Sequence, residues 1–62
     1  LVLGLLDELP ASLREALVLN SLEELSYDEI ARVLQVPLGT VSSRIHSARE
    51  KLSRKLAGRD LL

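Results

Sequence analysis

A stripe of apolar residues in the C-terminal half constrains this chain more than any other feature. The spacing is four, three, four and four positions, and the residues are Val41, Ile45, Ala48, Leu52 and Leu56. This spacing keeps the side chains on one face of an α-helix, so it predicts an amphipathic helix over about residues 38–57. Pro37 precedes that stretch and Gly58 follows it, and both are typical boundary residues. The apolar face must be covered by other elements.

The sequence predicts an all-α fold of four short helices. The first covers about residues 1–8 and stops ahead of Pro10, because the residue before a proline disfavours the helical conformation. The second covers about residues 11–22. Either Pro10 occupies its first turn, or Ser12 and Glu15 form a capping box at its start. The alternation of β-branched residues that is typical of strands does not persist anywhere in the sequence.

The third predicted helix, over about residues 26–34, has the clearest start signal in the chain. Ser26 and Glu29 match the S-x-x-E pattern of a capping box. Only about three residues, ending in Pro37, separate this helix from the next one. A short turn between a short helix and a longer one is typical of a C-terminal helix-turn-helix motif. Ala31 favours that motif, because a small residue lets the two helices approach closely.

The helical period also predicts which side chains form the core. On the second helix Leu13, Ala16 and Leu17 share one face with Asn20, and the three apolar members are expected to point inward. On the third helix the residues predicted to face the core are Ile30, Ala31, Val33 and Leu34.

Composition excludes several classes of protein. The 62 residues are enough for one domain, they include no cysteine, and His46 is the only histidine, so no disulfide, metal site or cofactor is predicted. No apolar run approaches the roughly 18 residues needed to cross a membrane. The chain starts without Met, and we interpret residues 1–62 as one domain of a longer, soluble and cytoplasmic protein. The acidic residues occur as neighbours in sequence (Asp7-Glu8, Glu23-Glu24 and Asp28-Glu29), so the two carboxylates of each pair point in different directions and do not converge on one site. No Gly-rich phosphate loop is present either, so an enzyme is not expected.

Charge is distributed unevenly along the chain. Residues 1–37 carry two basic and seven acidic side chains, a net charge of −5. Residues 38–62 carry six basic and two acidic side chains, a net charge of +4. The basic half is therefore the better candidate for neutralising phosphates, although charge runs are also common on purely solvated faces.

The start of the fourth helix carries small hydroxyl residues on its predicted outer side. In a helix-turn-helix motif the early residues of the second helix meet base edges in the major groove. Hydroxyl groups can bond to bases or phosphates, and Arg44 can grip guanine or a phosphate through two hydrogen bonds. Exposed serines also occur simply as solvated residues. The candidate DNA-contacting residues of this helix are Thr40, Ser42, Ser43, Arg44, His46 and Ser47.

Several short motifs occur in a fixed order. Leu9-Pro10 is followed by REALVL at 14–19, LSYDEIA at 25–31, VPLGTV at 36–41, Ser-Arg at 43–44 and Ala-Arg at 48–49. Each is weak alone. Together, over about residues 5–56, they resemble region four of extracytoplasmic-function (ECF) sigma factors.

The resemblance implies four short helices, the last of them a recognition helix that reads the upstream (−35) promoter element. It implies binding to the RNA polymerase core through the β-subunit flap, and masking by an anti-sigma factor as a further expectation. The six candidates on the fourth helix match the family's base- and backbone-contacting stretch. Arg14 and Tyr27 match positions that approach the phosphates from the other side.

The chain departs from the family pattern at five positions. Ser42 and Ser47 stand where the family usually carries Arg or Lys, and Asn20 lies near a place where it often carries one of them. Glu24 and Gln35 stand where the family usually carries glycine. Each lost phosphate contact removes about one unit of salt dependence. We therefore expect the isolated domain to bind DNA weakly and to depend on the rest of a sigma factor and on polymerase.

Two alternatives stay open. The first is a helix-turn-helix from another transcription regulator, against which the PLGTV-x-SR run at residues 37–44 argues. The second is an interaction module that mainly binds an anti-sigma factor or polymerase, and the three missing charges favour that possibility. A salt titration of DNA binding distinguishes it from a promoter reader.

Overall fold

The computed structural model describes residues 8–60, and the side chains of residues 8–57. Three α-helices follow one another in this part of the chain: α1 (Ala11–Ser21), α2 (Tyr27–Leu34) and α3 (Leu38–Asp60). No strand occurs between residues 8 and 60, so the all-α prediction is confirmed for them. The first predicted helix, over residues 1–8, lies outside the described residues except for Glu8, which is in a turn.

Helix α1 starts at a proline rather than at a capping box. Pro10 is the N-cap residue, and its carbonyl oxygen accepts from the N–H groups of Leu13 and Arg14 at 3.1 and 3.0 Å. No side chain caps this end, so the predicted Ser12–Glu15 box is wrong. The helix begins at Ala11, so Ser12 already lies inside the first turn and cannot act as the N-cap residue of a capping box.

Helix α2 is fixed at both ends by specific interactions. The Ser26 hydroxyl accepts from the Glu29 N–H at 3.2 Å, and the Glu29 carboxylate accepts from the Ser26 N–H at 2.8 Å, which confirms the predicted capping box. Gln35 ends the helix in the left-handed conformation, with φ at 58°. The Val36 N–H then donates to the Ala31 carbonyl at 3.1 Å and closes the last turn.

Helix α3 begins where the sequence predicted and ends later. The Pro37 carbonyl accepts from the Thr40 and Val41 N–H groups at 3.0 and 3.3 Å, and the helix runs for 23 residues to Asp60. Gly58 was predicted to end it and does not, because a glycine ends a helix only when it takes up the left-handed conformation. None of the three helices described between residues 8 and 60 is long and apolar enough to span a bilayer.

The core lies where α3 crosses the two shorter helices. Its buried members come from all three helices and from the segment before α1, and they are Leu9, Ala16, Leu17, Ile30, Val41, Ile45 and Ala48. Leu13, Ala31, Leu34 and Leu52 are partly buried against this cluster. The first three turns of α3 are therefore anchored on one side by side chains with no solvent exposure.

Two predicted core residues are wrong. Val33 is 59% exposed, because it lies at the edge of the buried face of α2, on the flank next to Ile30 and away from Leu34. Leu56 is 42% exposed. It belongs to the apolar stripe, but α3 is twice as long as α1, and the last turns of α3 extend beyond the helices described here.

Candidate nucleic-acid interface

The turn between α2 and α3 sets the direction in which α3 points. Three residues, Gln35 to Pro37, connect the helices, and half-buried Val36 packs between them against the core. Ile30 on α2 and Val41 and Ile45 on α3 have no solvent exposure. Because interior side chains are close-packed, this contact fixes α3 on α2. The predicted short connection and helix pair are present.

The opposite side of the same turns of α3 is exposed. Ser42, Ser43 and His46 are exposed, and Thr40, Arg44 and Ser47 are half-buried. The six candidates therefore lie around one helix segment whose back is held by Val41 and Ile45. Arg44 is the only arginine or lysine among the six, so this segment offers hydrogen-bonding groups more than positive charge.

Arg14 and Tyr27, the two candidates outside α3, are placed on different elements. Arg14 lies in the second turn of α1 and is half-buried. Tyr27 is the first residue of α2, and its ring packs against the core. The ring of Tyr27 therefore supports the fold, and only its hydroxyl group is left for a role at phosphates.

Asn20 joins three parts of the molecule, a role that the helical period did not predict. Its Nδ2 donates to the Leu25 carbonyl at 3.0 Å, and its Oδ1 accepts from Arg49 Nη2 at 3.2 Å. The amide thus ties the end of α1 to the following loop and to the middle of α3. A basic side chain here could not form both bonds, because lysine and arginine only donate. Asn20 therefore has a structural role in this fold.

Positive charge is concentrated in the later turns of α3. Between Leu38 and Ala57 the helix carries five basic side chains and one acidic side chain, Glu50. Lys55 pairs with Glu8 at 3.1 Å, which connects α3 to the segment ahead of α1. The Glu50 carboxylate lies 3.0 Å from Arg54 Nη2 and 3.6 Å from His46 Nε2. The sequence interpretation gave Glu50 no role in the site.

The capping box at α2 perturbs one titratable group. The Ser26 N–H and hydroxyl, together with the Arg32 guanidinium, lower the pKa of Glu29 below its ordinary value of 4.5. The physical cause is mainly the hydrogen bond from the Ser26 backbone N–H to the ionised carboxylate, since that bond favours the charged form. The start of α2, which supports α3, is therefore best held when Glu29 is ionised.

An apolar groove lies between the C-terminal parts of α1 and α3. Its volume is about 390 Å³, and in the described part of the chain its lining residues are Leu17, Ser21, Leu22, Arg49, Leu52, Ser53 and Leu56. Leu22 is 60% exposed and Leu56 is 42% exposed. This groove is formed by the later turns of α3, whereas the hydroxyl residues occupy its first turns.

A short capped helix, a three-residue turn and a longer helix with an exposed polar side define the helix-turn-helix class of DNA-binding domains. Within this class the chain belongs to the sigma-70 region 4 family, because residues 1–52 match the family model described as "Sigma-70, region 4". The family resemblance predicted from the sequence motifs is thereby confirmed.

Individual sigma factors are similar to the chain over most of its length. It is 51% identical over 51 residues to the RNA polymerase sigma-H factor of Pseudomonas aeruginosa, a match that covers 82% of this chain and 26% of that protein. It is 45% identical over 56 residues to the ECF RNA polymerase sigma-E factors of Escherichia coli and Salmonella typhimurium, covering 90% of this chain and 29% of each relative. The chain spans less than a third of the length of these relatives.

Proposed function

We propose that this chain is the DNA-binding part of a bacterial sigma factor and that it reads the upstream (−35) element of a promoter. The observation that carries the proposal is the exposed hydroxyl and histidine side of α3, whose opposite side is fixed by Val41, Ile45 and Ala48. A rigid helix with an exposed polar side is what entry into a major groove requires. The activity is binding, and no catalytic step is proposed.

In this proposal the candidate residues divide into two roles. Base edges are contacted by the exposed Ser43 and His46 together with Ser47, while Arg44 grips a guanine or a phosphate. Thr40 and Ser42, near the start of the helix, bond to the adjacent phosphates, as do Arg14 and the Tyr27 hydroxyl from the neighbouring helices. All of these side chains are exposed or half-buried, which supports their proposed roles in contacting DNA.

RNA polymerase is the proposed protein partner, and the β-subunit flap is the proposed point of contact. The apolar groove at the far end of α3 supports this, because exposed leucines such as Leu22 and Leu56 are suited to a protein partner and not to a phosphate backbone. An anti-sigma factor is proposed as a competing partner of the same domain. These partners place the proposed site of action in the cytoplasm.

The test is a salt titration of binding to duplex DNA selected from a randomised library by the chain itself. We expect log K to fall with log salt at a slope of about −0.9 for each phosphate contact, and binding to be measurable at about 50 mM salt. A flat response, or no binding at that salt concentration, would contradict promoter reading and would favour the interaction module instead.

Arg44→Ala tests the direction of the recognition helix. If Arg44 makes a bidentate contact to a base, the variant loses about 1–3 kcal/mol of binding to the selected duplex and relaxes the preference at one position. Lys51→Ala is the matched control, because an exposed cation in a later turn is expected to weaken all duplexes equally. Unchanged binding of the Arg44 variant would show that this side chain stays away from DNA.

A further inference from the structure

The single acidic side chain among residues 38–57 of α3 lies on its exposed side. Glu50 follows Ser43 by seven residues and His46 by four, so it is on the same side of the helix as both. The side chains of His46, Glu50 and Arg54 are 80%, 51% and 77% exposed. A carboxylate here faces whatever the hydroxyl residues face, and this inference therefore rests on the proposed DNA binding.

Each oxygen of the carboxylate is directed at one neighbour. Oε1 lies 3.0 Å from Arg54 Nη2, and the guanidinium donates a hydrogen bond to it. Oε2 lies 3.6 Å from His46 Nε2. These spacings of four residues in either direction are the ones at which side chains meet on a helix surface. Glu50 thus lies between His46, which is proposed to contact bases, and Arg54, which is the cation on this side of the helix.

We propose that Glu50 is a counterion built into the DNA-facing helix, which occupies Arg54 in the free protein and so limits sequence-independent binding to the phosphate backbone. A phosphate that approaches Arg54 must displace the carboxylate and is repelled by it at the same time. Ser43 and Ser47, which are proposed to contact base edges, do not form an ion pair with Glu50, so their contacts are not opposed in this way. Glu50 therefore shifts the balance of binding away from the backbone and toward the bases, which is the balance that decides promoter selection among many competing sites.

The size of the effect follows from counterion release. One phosphate contact contributes a factor of about the salt concentration to the power −0.9, which at about 0.1 M is close to eightfold. Glu50→Gln keeps the size of the side chain and removes its charge. We expect this variant to bind a random-sequence duplex about five- to tenfold more tightly, with a salt slope steeper by about one.

The experiment compares Glu50→Gln with two further variants on the same random-sequence duplex. Glu15→Gln removes one exposed carboxylate from α1 and reports the effect of net charge alone. Arg54→Gln tests the partner: it should abolish the gain in the Glu50→Gln background and change the affinity less than twofold in the wild-type background. A circular dichroism spectrum of each variant confirms that the helices are retained.

The outcomes separate this inference from the proposed function. If the wild-type chain binds DNA with the expected salt dependence but Glu50→Gln behaves like Glu15→Gln, the counterion role is wrong and promoter reading stands. A gain that persists in the Glu50→Gln and Arg54→Gln double variant also overturns it. If no variant binds duplex DNA at about 50 mM salt, the proposed function and this inference fail together.

Discussion

The two halves of α3 are built for different tasks although they form one continuous helix. In the first half, Val41, Ile45 and Ala48 have no solvent exposure, and the one cation is Arg44, which is half-buried beside them. In the second half the buried stripe fades, and between Arg49 and Ala57 the helix carries four cations and an exposed leucine, Leu56. The comparison indicates that the half proposed to read bases is held rigidly, while the half suited to phosphates and protein partners is less restrained.

The largest expected effect comes from shortening one large apolar side chain in each half of α3 and comparing the losses of stability. Ile45→Ala leaves a cavity where α3 crosses α1 and α2, and we expect a loss of about 2–5 kcal/mol in the free energy of unfolding. Leu56→Ala removes a partly exposed side chain and should cost about 1 kcal/mol or less. Urea denaturation followed by circular dichroism measures both. Equal losses would show that the two halves are packed equally well.

Ala31→Leu tests the close approach on which the first half depends. Ala31 is half-buried against the core, so the larger side chain overpacks the crossing and should destabilise the domain by about 1–3 kcal/mol. Val33→Leu adds one methylene group to the exposed side of the same helix and is expected to be nearly neutral. Thermal unfolding of the two variants gives the comparison, and a wild-type melting curve for Ala31→Leu would contradict a close crossing.

Gln35→Gly acts on the turn that sets the direction of the first half. Gln35 has φ at 58°, a conformation that costs an L-residue with a side chain about 1 kcal/mol or more and that glycine adopts readily. We expect the variant to be more stable by about 1 kcal/mol, and Glu24→Gly, at φ 57°, to behave alike. Arg32→Gly, inside α2, should destabilise instead. If Gln35→Gly were less stable than the wild type, the left-handed conformation of Gln35 would not be a source of strain.

Lowering the pH is expected to have the smallest effect. It acts on the start of α2, the helix that supports the first half of α3. The pKa of Glu29 is lowered in the folded state, so its contribution to stability is present above the unfolded pKa and is lost as the pH falls through the folded pKa. The melting temperature should therefore fall from about pH 5 downward, and less so in Glu29→Gln. Identical pH profiles for wild type and Glu29→Gln would exclude this contribution.

Local signals in the sequence predicted most of the fold because they act over a few residues. The Ser26–Glu29 box, the break at Pro37 and the apolar stripe each depend on side chains within one or two turns. Val33 and Leu56 were predicted incorrectly because apolar character does not ensure burial. Val33 lies at the edge of the buried face of α2, and Leu56 lies beyond the end of the helices that cover the stripe. The positions and ends of the neighbouring helices depend on tertiary packing, which the hydrophobic period of a single helix does not predict.

The candidate site was predictable in its location but not in its connections. Exposure of Ser43 and His46 follows from their position opposite the stripe. The bond between Asn20 and Arg49 joins residues 29 positions apart, and no motif within either helix indicates it. Glu50 could have been noticed, because a single carboxylate at spacings of four between His46 and Arg54 is visible in the printed sequence.

The two left-handed residues also bear on how quickly a target can be recognised. Side chains at Glu24 and Gln35 leave their loops with fewer alternative shapes than glycines would. The conformational entropy of the loops is then lost when the domain folds and not when it binds DNA as proposed. The orientation of α3 is therefore set before binding. Under the proposed function, we expect such a domain to meet successive sites along a duplex as one stiff body and to test the bases without a prior rearrangement.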